Sequence, residues 1–167
     1  MKEFHEIVEH WAEIYRPMQH VPGRWSKNNR FFLTDSYMGL ASVVQEMQRN
    51  ASPSIVMESN VEGILGERFD TPRYSLYFLV LATDMSDGQA ALQAKLECKQ
   101  HMKKFIAYLR RMKEEKEMAE LAHIDLDDIE YMTTVPMFDG WYAVGITLTD
   151  LCQYDRCVDA NDYINEQ

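Results

Sequence analysis

The sequence has few of the residues that would indicate a cross-linked or membrane-embedded protein. It contains three cysteines in 167 residues, and this odd number, at these spacings, suits neither a disulfide framework nor a zinc site. Its longest apolar run, residues 76–82, is far shorter than the roughly 20 residues of a membrane-spanning helix. The N-terminal stretch carries acidic residues every few positions and lacks the apolar segment of a secretory signal. We therefore expect a cytoplasmic protein.

Positive charge is also scarce, except in one segment. The chain has 17 basic residues against 27 acidic ones, and its net charge of −10 argues against a general nucleic-acid-binding protein. Residues 95–116 hold eight of the basic residues and three of the acidic ones, so this segment carries +5 and the remainder −15. Such an asymmetry can steer a partner or orient subunits against each other, or it can simply mark a solvated helix face.

The sequence lacks a recognisable catalytic or metal-binding motif. It has no nucleophile elbow and no Walker loop. His5 and His10 resemble the zinc-protease helix pattern, but they are five residues apart, about 140° around a helix, and cannot bind one ion. The acidic stretch 125–130 lacks the glycine and the final carboxylate of an EF-hand, which leaves solvated acids or an adventitious ion site. We predict no catalytic, cofactor-binding or metal-binding residue.

The most informative feature that is present is a long helical pattern from Asp87 to Met118. Ser86 and Asp87 are suitable N-cap residues, and no proline or glycine follows Gly88 within the pattern. Small or apolar residues recur every three or four positions and draw one stripe along the helix, at Ala91, Ala94, Cys98, Met102, Phe105, Leu109 and Met112. We expect this helix to cover a sheet formed by the strand-like segments on either side of it.

Two further helices are predicted towards the N-terminus of the chain. Residues 2–16 form an amphipathic pattern that ends at a proline. Residues 37–49 form a second one, with apolar positions at Met38, Leu40, Ala41, Val44 and Met47. Residues 31–34 suit either a short extended piece or a lead into this second helix.

The strand patterns complete an α+β fold. Alternating and β-branched residues predict strands at 54–61, 73–83, 127–135 and 141–151, with a hairpin loop at 63–71. The second strand is apolar on both faces and should be central. Two hairpins joined by the long helix can place all four strands in one antiparallel sheet, with that helix packed on one face. We expect a single domain over residues 1–167, in which a helical N-terminal region (residues 1–50) precedes a hairpin–helix–hairpin core (residues 54–152) and an acidic tail (residues 153–167).

The loop 16–30 is one candidate site for protein contact. It contains basic residues and no acidic residue, together with an aromatic side chain, and its candidate contact residues are Arg24, Trp25, Lys27 and Arg30. Long loops of this kind often carry interaction sites. The loop is equally compatible with a flexible connector.

Two other candidate contact sites lie in the second half of the chain. The basic face of the long helix offers Lys99, Lys103 and Arg110. The turn before the last strand has large apolar residues at a hairpin tip, followed by an aromatic residue on the less apolar face of that strand: Met137, Phe138 and Trp141. The alternative is that these side chains fold back onto the sheet.

The closing stretch, residues 135–159 (VPMFDGWYAVGITLTDLCQYDRCVD), resembles small structural proteins encoded by prophages. In those proteins a turn ending in a Gly-aromatic pair, here Asp139, Gly140 and Trp141, opens a long last strand and an acidic or cysteine-bearing tail. The order helix–hairpin–helix–hairpin is similar to that of tail-terminator and head–tail connector proteins, over about residues 54–159. The resemblance implies a ring-forming virion subunit without catalytic activity, and no binding residue carries over from it.

Three functions remain open at this point. The first is a non-enzymatic virion structural protein of phage type that self-assembles through its helix and hairpin surfaces. The second is a small cytosolic protein-binding or adaptor module that uses loop 16–30 to hold an acidic partner. The third is an enzyme with a dispersed site, which no residue pattern favours. We expect protein partners, self-association among them, and neither a specific nucleic acid nor a membrane.

Overall fold

The computed structural model describes the chain in eight stretches, namely residues 3–23, 26–47, 51–59, 62–65, 69–84, 86–116, 118–133 and 140–153. The α-helices in these stretches are α1 (Phe4–Ile14), α2 (Tyr37–Glu46) and α3 (Gly88–Glu114). The strands are β1 (Phe31–Thr34), β2 (Ser54–Glu58), β3 (Glu62–Leu65), β4 (Phe69–Leu81), β5 (Tyr131–Thr133), β6 (Trp141–Thr149) and β7 (Cys152–Gln153). A 3₁₀ turn at Ala119–Leu121 follows α3.

The described strands form one mixed sheet of seven strands. Its order is β1-β2-β4-β6-β5, with β3 and β7 paired to the N-terminal end of β4. Both predicted hairpins belong to this sheet, so the α+β class and the shared platform are confirmed. The prediction of four antiparallel strands is wrong, because β1, β3 and β7 also join and because β1 runs parallel to β2.

The additional strands are short, and for β1 and β3 a local reason explains why the sequence pattern does not reveal them. β1 has four residues and no polar alternation, and it reaches its place beside β2 through a crossover formed by α2. β3 contains Gly63, which suggests a loop but is needed in the strand. A Cβ there would lie 2.9 Å from the carbonyl oxygen of Thr71 on β4.

The long helix is confirmed as one unbroken element, although it ends at Glu114 rather than at the predicted Met118. The Asp87 side chain caps it by accepting a hydrogen bond from the Gln89 amide at 2.8 Å. Arg111 and Lys113 lie in its last turn, where positive charge is favourable. Its buried face comprises Ala94, Cys98, Met102, Phe105, Ile106, Leu109 and Met112. Among the described residues, no helix combines the length and the apolar character needed to cross a bilayer.

One face of the sheet is covered by α3 together with α1. The centre of this α3-side core is an aromatic cluster contributed by three elements. The ring of Trp11 on α1 lies 5.0 Å from that of Phe105 on α3, and the ring of Phe105 lies 5.6 Å from that of Phe78 on β4. Edge-to-face and tilted contacts of this kind stabilise a core beyond the area they bury.

The other face of the sheet is covered by α2. Leu40, Val44 and Met47 form this α2-side core with Val56, Tyr77, Leu79, Trp141 and Ala143. The central strand is confirmed, since β4 is flanked by β2 and β6 and is buried on both faces from Leu76 to Val80. The prediction of Trp141 as a contact residue is wrong, because α2 covers the face of β6 on which Trp141 lies and leaves it only 2 % exposed.

Candidate interaction surfaces

One flank of α3 presents apolar and basic side chains together. At 100° per residue, Leu92, Leu96, Lys99 and Lys103 lie within about 60° of one another around the helix. Leu92 is 57 % exposed and Leu96 is 53 % exposed, although leucine usually lies inside. Lys104 lies about 100° from Lys103 and faces the other flank.

The edge strand β5 continues this flank. The Lys99 ammonium donates a hydrogen bond to the Tyr131 hydroxyl and lies 4.3 Å from the centre of the tyrosine ring. This hydrogen bond, together with the positive charges of Lys99 and Lys103, lowers the pKa of the Tyr131 hydroxyl. Leu92, Leu96, Lys99, Lys103 and Tyr131 are called the helix–edge surface below.

Two other cations of α3 are engaged within the chain. Arg110 Nε donates to the carbonyl oxygen of Leu126 at 3.1 Å, and Lys113 Nζ donates to that of Ile124 at 2.7 Å. These contacts fasten the segment before β5 to the helix. Arg110, predicted as a contact residue, therefore has an intramolecular role, whereas Lys103 is exposed beside Tyr131.

A second surface lies at the opposite edge of the sheet, where β1 meets α2. An open groove of about 540 Å³ is lined by Leu33, Thr34, Asp35, Ser36, Met38, Gly39, Ser42, Val43 and Glu46. We call it the β1–α2 groove. Its two charged lining residues are both acidic, and Met38 is 84 % exposed. The sequence pattern groups Met38 with the apolar positions of α2, but it lies on the outer side of the helix.

Local sequence fixes the shape of this groove. Ser36 caps α2 by accepting a hydrogen bond from the Gly39 amide at 3.3 Å. A Cβ at Gly39 would overlap Thr34 Oγ1 and lie 2.5 Å from Asp35 Oδ1. Glycine therefore lets the helix begin directly after β1, with the side chains of Thr34 and Asp35 folded against its first turn.

The buried side chain of His20 connects the end of loop 16–30 to helix α1. His20 Nδ1 accepts the backbone amide of Arg30 at 2.9 Å, so His20 Nε2 carries the proton and donates to Glu9 at 3.2 Å. Arg30 is half-buried, donates to the carbonyl oxygen of Ser52 at 3.0 Å, and has its pKa lowered by burial. Lys27 is exposed.

The remaining predicted contact residues fall outside the described stretches. These are Arg24 and Trp25 in the loop, and Met137 and Phe138 at the hairpin tip. The contact role of these residues stays a prediction. The groove was missed from the sequence because its residues come together only when β1 joins the sheet.

The titratable groups in the α3-side core serve packing. Burial raises the pKa of the Cys98 thiol to about 12, so it remains protonated and poorly nucleophilic at neutral pH. Burial also lowers the pKa of His101, whose Nδ1 lies 2.9 Å from the hydroxyl of Tyr15, the residue that follows α1. Within the described stretches, no three His, Cys, Asp or Glu residues are grouped so that they could hold a metal ion.

Comparison with known proteins does not assign the chain to a family. No family model matches its sequence, and no curated protein matches it.

Proposed function

We propose that the protein is a non-enzymatic structural subunit of phage type, similar in role to tail-terminator or head–tail connector proteins, and that it assembles with copies of itself. The observation that carries this proposal is the pair of surfaces at opposite edges of the sheet. The helix–edge surface is basic, the β1–α2 groove is acidic, and both expose large apolar side chains.

Uncovered strand edges are the physical basis for assembly. An edge strand offers unpaired backbone groups to another chain, and natural proteins usually protect such edges. Among the described strands, β1 pairs only with β2 and β5 only with β6. Each edge thus supplies polar backbone groups next to exposed apolar side chains.

The two surfaces are different from each other, and this determines the kind of assembly. Contacts between unlike surfaces run head to tail, and such contacts close into rings when the rotation between subunits allows it. A ring is also what the resemblance to prophage structural proteins implies. The proposal requires no cofactor and no catalytic residue.

Sedimentation velocity over a range of protein concentrations tests this function. We expect a reversible oligomer that grows with concentration and dissociates when the salt concentration is raised from about 0.05 M to 1 M, because exposed charge contacts are screened. The experiment uses the full chain, and its secondary structure is followed by circular dichroism at both salt concentrations. A strict monomer at all concentrations in low salt would overturn the proposal.

A second candidate function is an adaptor that holds an acidic protein through loop 16–30. The anchoring of this loop by His20 favours it, because a fastened loop loses less conformational entropy on binding. Arg24→Ala combined with Trp25→Ala should then abolish capture of the partner, whereas Lys104→Ala should not. Unchanged capture by the double variant would remove this candidate.

A further inference from the structure

We infer that the β1–α2 groove of one copy receives the helix–edge surface of a second copy. This inference rests on the proposed function and adds to it the identity of the two contacting surfaces. It assigns the groove an occupant, namely Leu92, Leu96, Lys99 and Lys103 of a neighbouring molecule, with the β5 edge beside them.

Charge complementarity is the first argument. Asp35 and Glu46 are the charged residues of the groove lining, and both are exposed acids. The helix–edge surface carries Lys99 and Lys103 about one turn from each other. Complementary potentials of this kind select partners and fix their register.

Apolar matching is the second argument. Leu33 and Met38 are exposed in the groove, and Leu92 and Leu96 are exposed on the helix flank. Clusters of exposed apolar side chains rimmed by charge are typical of protein contact sites. Mutual burial of the two clusters would remove all four side chains from water.

The backbone of β1 supplies the third argument. The carbonyl oxygens of Arg30 and Thr34 accept hydrogen bonds from Ile55 and Ser59, so these even-numbered residues face β2. Since backbone direction alternates along a strand, the polar backbone groups of Phe31 and Leu33 face away from the sheet. Of these two residues, Leu33 is 48 % exposed and can meet another polar segment at this edge, whereas Phe31 is buried.

The positions of the two surfaces allow both to be used at once. β1 and β5 lie at opposite ends of the strand order, with β2, β4 and β6 between them. One molecule can therefore receive a neighbour at its groove and present its helix flank to another. The same contact repeats from copy to copy, as a head-to-tail assembly requires.

Charge reversal with a mixing step tests the inference. The groove variant is Asp35→Lys with Glu46→Lys, and the helix variant is Lys99→Glu with Lys103→Glu. We expect each variant alone to raise the dissociation constant of self-association about tenfold or more, because like charges then face each other. Mixing the two variants should restore association, since alternating copies again place opposite charges at every contact.

Matched controls separate this contact from a general effect of net charge. Glu13→Lys with Glu115→Lys makes the same charge change as the groove variant at exposed positions outside both the groove and the helix–edge surface. Lys104→Glu with Lys116→Glu makes the same charge change as the helix variant at exposed positions outside the helix–edge surface. Both controls should associate as the wild type does, and thermal unfolding should show that all variants are folded.

The outcomes distinguish this inference from the proposed function. A wild-type chain that stays monomeric defeats the proposed function and the inference together. A wild-type oligomer that survives both reversals leaves the proposed function standing and overturns the inference. Loss of association in the variants without recovery in the mixture also overturns it, because direct contact between the two surfaces requires recovery.

Discussion

Gly145 shows how one absent side chain sets the packing between strands. It lies opposite Tyr77 in the β4–β6 register, and the tyrosine ring covers it. The Tyr77 hydroxyl donates to Glu58, which limits how far the ring can move away. The α2-side core therefore depends on a glycine at this position.

Replacing this glycine should destabilise the fold. A Cβ at Gly145 would lie 3.0 Å from Tyr77 Cε1 and 3.1 Å from Cδ1, so Gly145→Ala should lower the free energy of unfolding by about 1–3 kcal/mol. Urea denaturation followed by circular dichroism measures this change. Thr147→Ala, at an exposed position of the same strand, is the control and should change stability by less than about 0.5 kcal/mol. Equal or higher stability of Gly145→Ala would contradict the prediction.

Single residues were predicted correctly where one pattern decided their environment. The stripe of α3 was confirmed because helical spacing alone selects its buried positions, from Ala94 to Met112. Trp141 was misplaced because strand alternation separates two faces but does not reveal that both are covered. Met38 was misplaced because it is apolar but lies about 160° around α2 from the buried Leu40, on the side away from the sheet.

At the scale of elements, α3 also organises the chain that follows it. Arg110 and Lys113 donate to backbone carbonyl oxygens of the segment between the 3₁₀ turn and β5. The Asp125 amide donates to the carbonyl oxygen of Thr149 at 2.8 Å, so this segment is held between the helix and β6. The basic face of α3 therefore serves partly to form hydrogen bonds within the chain.

Removing the side chains of Arg110 and Lys113 should increase local opening of the segment before β5. Arg110→Ala combined with Lys113→Ala should cost about 1–2 kcal/mol, because the charge-assisted hydrogen bonds of both side chains are replaced by contacts with water. Hydrogen exchange should show a faster rate at the Asp125 amide while the amides in the centre of β4 keep theirs. Lys104→Ala is the matched control on the other flank. An unchanged rate at Asp125 would show that the hydrogen bond to Thr149 holds the segment alone.

The elements themselves were more predictable than the pairing between them. α1, α2 and α3 were expected at nearly their observed positions, because amphipathic spacing and caps are local signals. The parallel pairing of β1 with β2 depends on contacts between distant residues and leaves no local signal. The groove depends on that pairing, so it could not be predicted either.

At the scale of the whole molecule, the His101–Tyr15 contact links stability to pH. Burial is the main cause of the lowered pKa of His101, and the negative charge of Glu97 opposes it weakly. In the unfolded chain His101 binds a proton near pH 6.5, but in the folded chain it does so only at lower pH. The stability contributed by neutral His101 is complete above about pH 6.5 and is lost as the pH falls through the folded pKa.

Measuring unfolding between pH 7.5 and 5 checks this linkage. The free energy of unfolding should fall as the pH drops below about 6.5, and His101→Gln should make this fall shallower. His123→Gln, at an exposed position after α3, is the control and should leave the slope unchanged. A slope in His101→Gln equal to that of the wild type would assign the pH dependence to other groups.

β4 pairs with β2 and β3 before it in the chain and with β6 and β7 after it. During synthesis, one edge of this apolar strand has no neighbouring strand until α3 and the following residues have left the ribosome. Newly made chains that stop before β6 would expose the apolar strand β4 to one another and to chaperones. Folding and aggregation therefore compete until the last third of the chain has been synthesised.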